Sequence, residues 1–309
     1  MFEKFDKAVS LYIENMKRNE LSENSISSYE RTYRMLRKSM ETNGLEDISM
    51  EAVMNFKLST DVKLTTMALY LTHIRCLSNF AVACGIVAQP FFLDTLMPPK
   101  KKLAVERNKP YEHVLTDEDA EMLINCDRPA HGRKSRTWLR EKAEVTMLLQ
   151  SGLRNSELRS LRPIDLDWEN GVAFPQDTKG DKPRAVVFSQ TAQNAVRAYM
   201  KSGLRPAWVG DEDFLFGSVG NDGAWNPMSR VELSERIKYY TKAVLGEEKS
   251  CRTHAARHCY ASVLLENDVP MELISETMGH SSVATTKIYA ARFNVNAPAM
   301  AVANVFNRG

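Results

Sequence analysis

Between Pro90 and Pro110 the chain interrupts its own pattern. Pro90, Pro98, Pro99 and Pro110 fall there, and Lys100, Lys101, Lys102, Arg107 and Lys109 stand against Glu106 alone. Proline cannot continue a helix from its interior, because it lacks the backbone donor and fixes φ. A basic, proline-punctuated stretch between two helix-patterned segments divides the chain. We expect a helical domain over residues 1–97, a basic linker over 98–114 and a second domain over 115–309. A length of 309 residues exceeds one ordinary core and suits two.

On the first side, Phe5, Val9, Tyr12, Ile13 and Met16 recur at helical spacing. A second helix follows Ser22 and carries Ile26, Tyr29, Tyr33, Leu36 and Met40. Ser49 is placed to cap a third, with Val53, Met54 and Phe56. A fourth runs from about Leu64 to Cys84, with Gly85 as its stop. A helical bundle is the natural way to bury such stripes.

On the second side, Thr116-Asp117-Glu118-Asp119 is a cap-like helix start. A longer helix through Trp138, Val145, Leu148 and Leu149 ends at Gly152. Val172-Ala173-Phe174 and Arg184-Ala185-Val186-Val187-Phe188 are β-prone, and the polar Thr178-Lys179-Gly180-Asp181 between them predicts a hairpin. Helices return after Gln190, after Ser229 and from Thr253. The fold class is therefore mainly α with a small β-hairpin or sheet.

Composition narrows the function classes. Hydrophobic residues at 43% and charged residues at 26% are a globular balance. No apolar run is long enough to span a bilayer, and the N-terminus lacks the basic-then-apolar order of a signal peptide. A cytoplasmic protein with no membrane partner is expected. Five cysteines without a C-x-x-C pair read as reduced thiols. The net charge of +2 does not by itself argue for nucleic acid, but the basic linker could lie along phosphates.

Three segments could carry chemistry. Ser151-Gly152-Leu153-Arg154-Asn155-Ser156-Glu157-Leu158 places an arginine straight after a helix break, with Glu157 one turn on to hold it. His254, Arg257 and His258 fall at i, i+3 and i+4 and share a helix face, which is costly to bury without a role or partner. Cys251, His254 and His258 could in principle meet a zinc ion, but no fourth ligand is evident and Arg257 would repel the cation. We therefore expect no metal and no cofactor. The third segment is Met278-Gly279-His280-Ser281-Ser282, with Tyr289 nine residues after the histidine on a helix that Ser281 or Ser282 can cap. Taken alone, such a tyrosine is usually a packing residue.

Together the segments resemble the tyrosine recombinase, or phage integrase, family. That family has an arginine in a G-L-R-x-x-E-L context, a lysine in a β-hairpin turn, an H-x-x-R box, a G-H pair and a tyrosine nine residues later. Here these are Gly152-Leu153-Arg154-Asn155-Ser156-Glu157-Leu158, Thr178-Lys179-Gly180, His254-Ala255-Ala256-Arg257, Gly279-His280 and Tyr289, all in the family's order. Ala256 departs from the leucine often found before the box arginine, at a position that packs rather than reacts.

The resemblance implies a helical core-binding (SAM-like) domain followed by a mixed α/β catalytic domain with a C-terminal tail. It implies cleavage and rejoining of DNA through a 3′-phosphotyrosine link. Tyr289 would be the nucleophile, Arg154, Arg257 and His280 the phosphate contacts, His254 the base and Lys179 the acid for the leaving 5′ oxygen. His258 and Glu157 would orient. The partners implied are double-stranded target sites, a homotetramer on two duplexes and accessory DNA-bending proteins, as for an integrase or invertase of a bacterial mobile element. The alternatives are a type IB topoisomerase-like relaxing enzyme and a catalytically silent DNA-binding regulator. After Tyr289, Met300, Val302, Val305 and Phe306 form an apolar stripe that needs burial on the same subunit or a neighbour.

Overall fold

The computed structural model describes residues 2–107, 115–127, 137–176 and 184–279. The chain divides into two compact units, residues 1–109 and 110–309.

The first unit is helical: α1 (Glu3–Arg18), α2 (Glu23–Thr42), α3 (Met50–Ser59), α4 (Leu64–Ala83) and α5 (Lys100–Arg107). Ser22 and Ser49 cap α2 and α3 by accepting from the backbone N–H of Ser25 and Ala52. The stripes converge on a core that includes Phe5, Leu36, Met40, Phe56, Leu71, Ile74 and Leu77. Phe91 and Phe92 of the proline-flanked stretch are buried in the same core. Inside it, His73 meets the Thr32 hydroxyl at 2.8 Å and stacks on Tyr29, and burial pushes its pKa down to about 4. That histidine is a neutral packing residue. The helix α5 lies where the sequence reading expected a linker. Its residues are mostly helix formers, and Pro99 precedes its first turn, where proline starts a helix rather than breaking one.

The second unit contains α6 (Asp117–Asn125), α7 (Trp138–Ser151), α8 (Asn155–Ser160), β1 (Leu166–Asp167), β2 (Val172–Ala173), β3 (Val186–Val187), α9 (Gln190–Lys201), β4 (Gly217–Val219), β5 (Trp225–Pro227), α10 (Arg230–Leu245), α11 (Thr253–Glu266) and α12 (Met271–Thr277). The fold is mainly helical with two small antiparallel sheets, ordered β1-β2-β3 and β4-β5. The expected pairing of the two β-prone runs is present: Val172 faces Val187 and Ala173 faces Val186. The turn that would join them, residues 177–183, lies outside the described residues. Thr116 and Asp119 form the expected capping box of α6.

The helix α7 is the centre of this unit. It packs against α6, α9, α10 and α11, so its residues from Ala143 to Leu149 are buried all round. Its one buried carboxylate in that run, Glu144, accepts from Arg236 of α10 at 3.0 Å. Among the described residues no helix is long and apolar enough to cross a membrane.

Gly152 ends α7 in the left-handed region, at φ +60°. A Cβ built there would stand 2.4 Å from Cδ1 of the Tyr260 ring on α11. Both the backbone angle and the ring exclude a side chain, and the reversal leads through Leu153 to Arg154, which caps the start of α8. Gly152→Ala should therefore destabilise the protein by about 2–4 kcal/mol, combining left-handed strain with overpacking. A urea melt that gives an unchanged midpoint would refute the close approach.

Candidate active site

The turn at Gly152 delivers Arg154 to the N-terminal end of α8. There the Glu157 side chain reaches back: Oε2 accepts from the Arg154 backbone N–H at 2.6 Å, and Oε1 accepts from Arg154 Nη1 at 2.6 Å. The carboxylate is wholly buried. It answers a second guanidinium as well. Arg184, just before β3, donates from Nη2 to Oε2 at 2.6 Å and from Nε to Oε1 at 3.2 Å. Burial alone would raise the Glu157 pKa, but Arg184 and then Arg154 outweigh it and hold the carboxyl below its usual range.

Arg257 enters from α11, buried, and donates to the Gly152 carbonyl through Nη1 and to the Met278 carbonyl through Nη2. Arg154 Nη2 donates to the Gly279 carbonyl, and Arg184 Nη1 to the Thr277 carbonyl. Three arginines from three distant segments thus hold three successive carbonyls at the C-terminal end of α12. A helix end leaves such carbonyls without intrahelical partners and carries partial negative charge, so cations are favoured there. Gly279 sits at φ +61°, and a Cβ on it would lie 2.8 Å from Arg184 Cδ. The glycine lets the turn close down on the arginines.

His254 is the second residue of α11, and its ring meets that of His258 edge-on at 4.7 Å between centroids. The His254 side chain reaches solvent, yet the surrounding chain partly desolvates the ring. That desolvation, followed by the charges of Arg257 and Arg230, lowers its pKa from the ordinary histidine value. The imidazole is thereby kept neutral and able to accept a proton at neutral pH. Asn155 donates to the Thr253 and Ser234 hydroxyls at 3.3 Å, which ties α8 to the start of α11 and to α10.

Of the residues singled out in the sequence, Arg154, Glu157 and Arg257 meet at this one turn with Met278 and Gly279, while His254 and His258 lie on the same helix as Arg257. Lys179, His280 and Tyr289 lie outside the described residues. Among the described residues no three His, Cys, Asp or Glu side chains gather as ligands, and burial pushes the Cys251 thiol up to about 11. Sequence reasoning missed Arg184. Its only signal was a charge opening an otherwise apolar strand. Arg154 and Arg184 share the Glu157 carboxylate, and all three guanidiniums also donate to neutral backbone carbonyls. Such a site suits an anion with several oxygens, such as a phosphate diester.

A sequence profile of the phage integrase family matches residues 113–294. The tyrosine recombinase XerD of Vibrio vulnificus is 28% identical over 277 residues, covering 87% of this chain and 85% of that protein. The tyrosine recombinase XerC of Lactobacillus delbrueckii subsp. bulgaricus is 27% identical over 278 residues, covering 87% and 88%. Among solved structures, the Tn1549 transposon integrase in complex with transposon right end DNA matches with a TM-score of 0.68 at 19% identity, over 96% of this chain and 98% of that one. The XerH site-specific recombinase bound to its palindromic difH substrate matches with a TM-score of 0.68 at 19% identity, over 86% and 76%. At that identity the structural likeness is one of fold.

The electrostatics around α11 generate a direct test. A titration of the His254 ring by NMR should show a midpoint below the ordinary value of about 6.5. Arg230→Gln, which removes an exposed cation near the ring, should move the midpoint upward. A midpoint at or above the ordinary value would refute the account of the ring's surroundings.

Proposed function

Because the chain belongs to the phage integrase family, we propose that it is a site-specific DNA recombinase that breaks and rejoins strands through a 3′-phosphotyrosine link to Tyr289. The observation that carries this reading is the convergence of Arg154 and Arg257 on Gly279 and Met278, the two residues directly before His280. Tyr289 follows nine residues on.

In the proposed step, the Tyr289 oxygen attacks the phosphorus of a phosphodiester. The phosphorus–tyrosine bond forms as the bond to the 5′ oxygen breaks. Arg154, Arg257 and His280 meet the non-bridging oxygens, where negative charge builds. A tyrosine hydroxyl, with an ordinary pKa near 10, needs a base. His254, held neutral by its surroundings, accepts the proton. Lys179 gives one to the leaving 5′ oxygen. The phosphotyrosine conserves the energy of the broken bond, and a 5′ hydroxyl from another strand reverses the step. No nucleotide or metal is required by this balance.

The helical unit, residues 1–109, would add backbone contacts to the duplex and make affinity salt-dependent. Exchange between two sites needs four strands cut in order, so a homotetramer on two duplexes, assisted by DNA-bending proteins, is the assembly we propose. An integrase or invertase of a bacterial mobile element is the role that fits.

Tyr289→Phe should bind target DNA normally and form no covalent adduct with a nicked suicide substrate. An adduct from that variant would reassign the nucleophile, with Tyr260 the next tyrosine to test. Lys179→Ala should slow cleavage far more than it weakens binding. A substrate with sulfur at the 5′ bridging position needs no proton on leaving, so it should rescue Lys179→Ala and leave Arg154→Ala slow. If the rescue fails, the acid is another group, and Lys182 is the next candidate.

A further inference from the structure

Arg184 occupies none of the positions that carry the family resemblance, yet it is built into the same site more tightly than Arg154. Its side chain is 7% exposed, against 22% for Arg154. All three of its nitrogens are engaged: Nε and Nη2 on the Glu157 carboxylate, Nη1 on the Thr277 carbonyl. Three of its five N–H donors, including the Nε–Nη2 pair on Glu157, are thereby committed within the protein. We propose that Arg184 is a positioning residue for strand cleavage, which sets Arg154 and the turn into His280 through Glu157 and Thr277. The inference rests on the reading of Arg154 as a phosphate contact.

The physical reason lies in the carboxylate. Glu157 is wholly buried, and a buried charge must be met by partners on both oxygens. Arg184 supplies one hydrogen bond to each oxygen. Without it, Glu157 would retain only Arg154 and the Arg154 backbone N–H. The carboxylate would then either draw the Arg154 fork fully onto itself or take up a proton and release it. Both responses move Arg154 Nη2 off the Gly279 carbonyl, the group that now fixes its direction.

The second lever is the turn. Arg184 fills the space under Gly279, where a Cβ would meet its Cδ at 2.8 Å. It also holds the carbonyl of Thr277, the last residue of α12. Arg257 and Arg154 hold the next two carbonyls. Loss of the first hold leaves the turn resting on the two arginines that the phosphate itself requires.

The test compares cleavage of an ordinary target site with cleavage of one carrying a methylphosphonate at the scissile position. The methyl group replaces one non-bridging oxygen and removes the negative charge of the diester, and with it much of the need for Arg154. On the ordinary site, Arg184→Ala should keep its DNA affinity and lose roughly 100-fold in the single-turnover cleavage rate, the scale of a 1 Å misplacement. On the methylphosphonate its defect should shrink in step with that of Arg154→Ala. The double variant should be no slower than Arg154→Ala alone. Arg184→Lys, which keeps a cation on Glu157, should recover part of the rate. If Arg184→Ala does not fold, Arg184→Lys carries the same comparison between the two substrates. A general packing role would leave the defect equal on both substrates and additive with Arg154→Ala, and either result overturns the proposal. If Arg154→Ala itself cleaves the ordinary site at full rate, the reading of the site fails. If Arg154→Ala is slow and Arg184→Ala is not, the positioning role alone fails.

Discussion

The buried Glu157 carboxylate sets the terms for the site around it. An ionised carboxyl removed from water is tolerated only when both oxygens accept strong hydrogen bonds. Here they come from Arg154, the Arg154 backbone N–H and Arg184, at 2.6–3.2 Å. The charge balance holds the carboxyl ionised, as the downward shift of its pKa indicates. Once Glu157 is fixed, the start of α8, Arg184 on the approach to β3 and the end of α12 are fixed relative to one another. Those three pieces are 27 and 93 residues apart in sequence along the Arg184 contacts. One carboxylate therefore does for the site what a core leucine does for a helix bundle, but with direction as well as attraction.

The scaffold beneath it depends on α7. This helix is buried all round from Ala143 to Leu149 and ends at Gly152, where the Tyr260 ring leaves no space for a Cβ. The same residue offers its carbonyl to Arg257. The glycine that stops the helix thus also orients the second arginine. A substitution there would act on stability and on the site together, since the ring, the turn and the guanidinium share one small volume.

Local signals were legible in the sequence. Ser22, Ser49 and the Thr116–Asp119 box cap helices because their partners lie three residues on. The Arg154–Glu157 pair and the shared face of His254 and Arg257 were legible for the same reason. The pairing of Val172 with Val187 followed from two β-prone runs. The strands β1, β4 and β5 were not legible, because Leu166-Asp167, Gly217-Ser218-Val219 and Trp225-Asn226-Pro227 contain no run of β-branched or aromatic residues. The helix α5 was hidden by its flanking prolines, which read as breaks although one of them precedes a first turn. Arg184 was hidden for a deeper reason. Its partners, Glu157 and Thr277, are remote in sequence, and nothing local distinguishes it from a solvated charge at a strand end.

The partition of donors in this site has a consequence for anion binding. A carboxylate for each arginine would satisfy the donors but cancel the charge that a phosphate must feel. Here Arg154 and Arg184 meet one carboxylate, Glu157, and the three arginines donate besides to the carbonyls of Gly152, Thr277, Met278 and Gly279. Carbonyls satisfy N–H groups and fix the planes of the guanidiniums while leaving the net charge in place. The arginines are held in position before any substrate arrives, so little reorganisation is needed when charge builds on a phosphate oxygen. The orphan carbonyls at the end of α12 gain partners in the same contacts. The end of one short helix thus gains its caps from the three guanidiniums themselves, and the fold of the α12 turn and the placement of the arginines are a single arrangement.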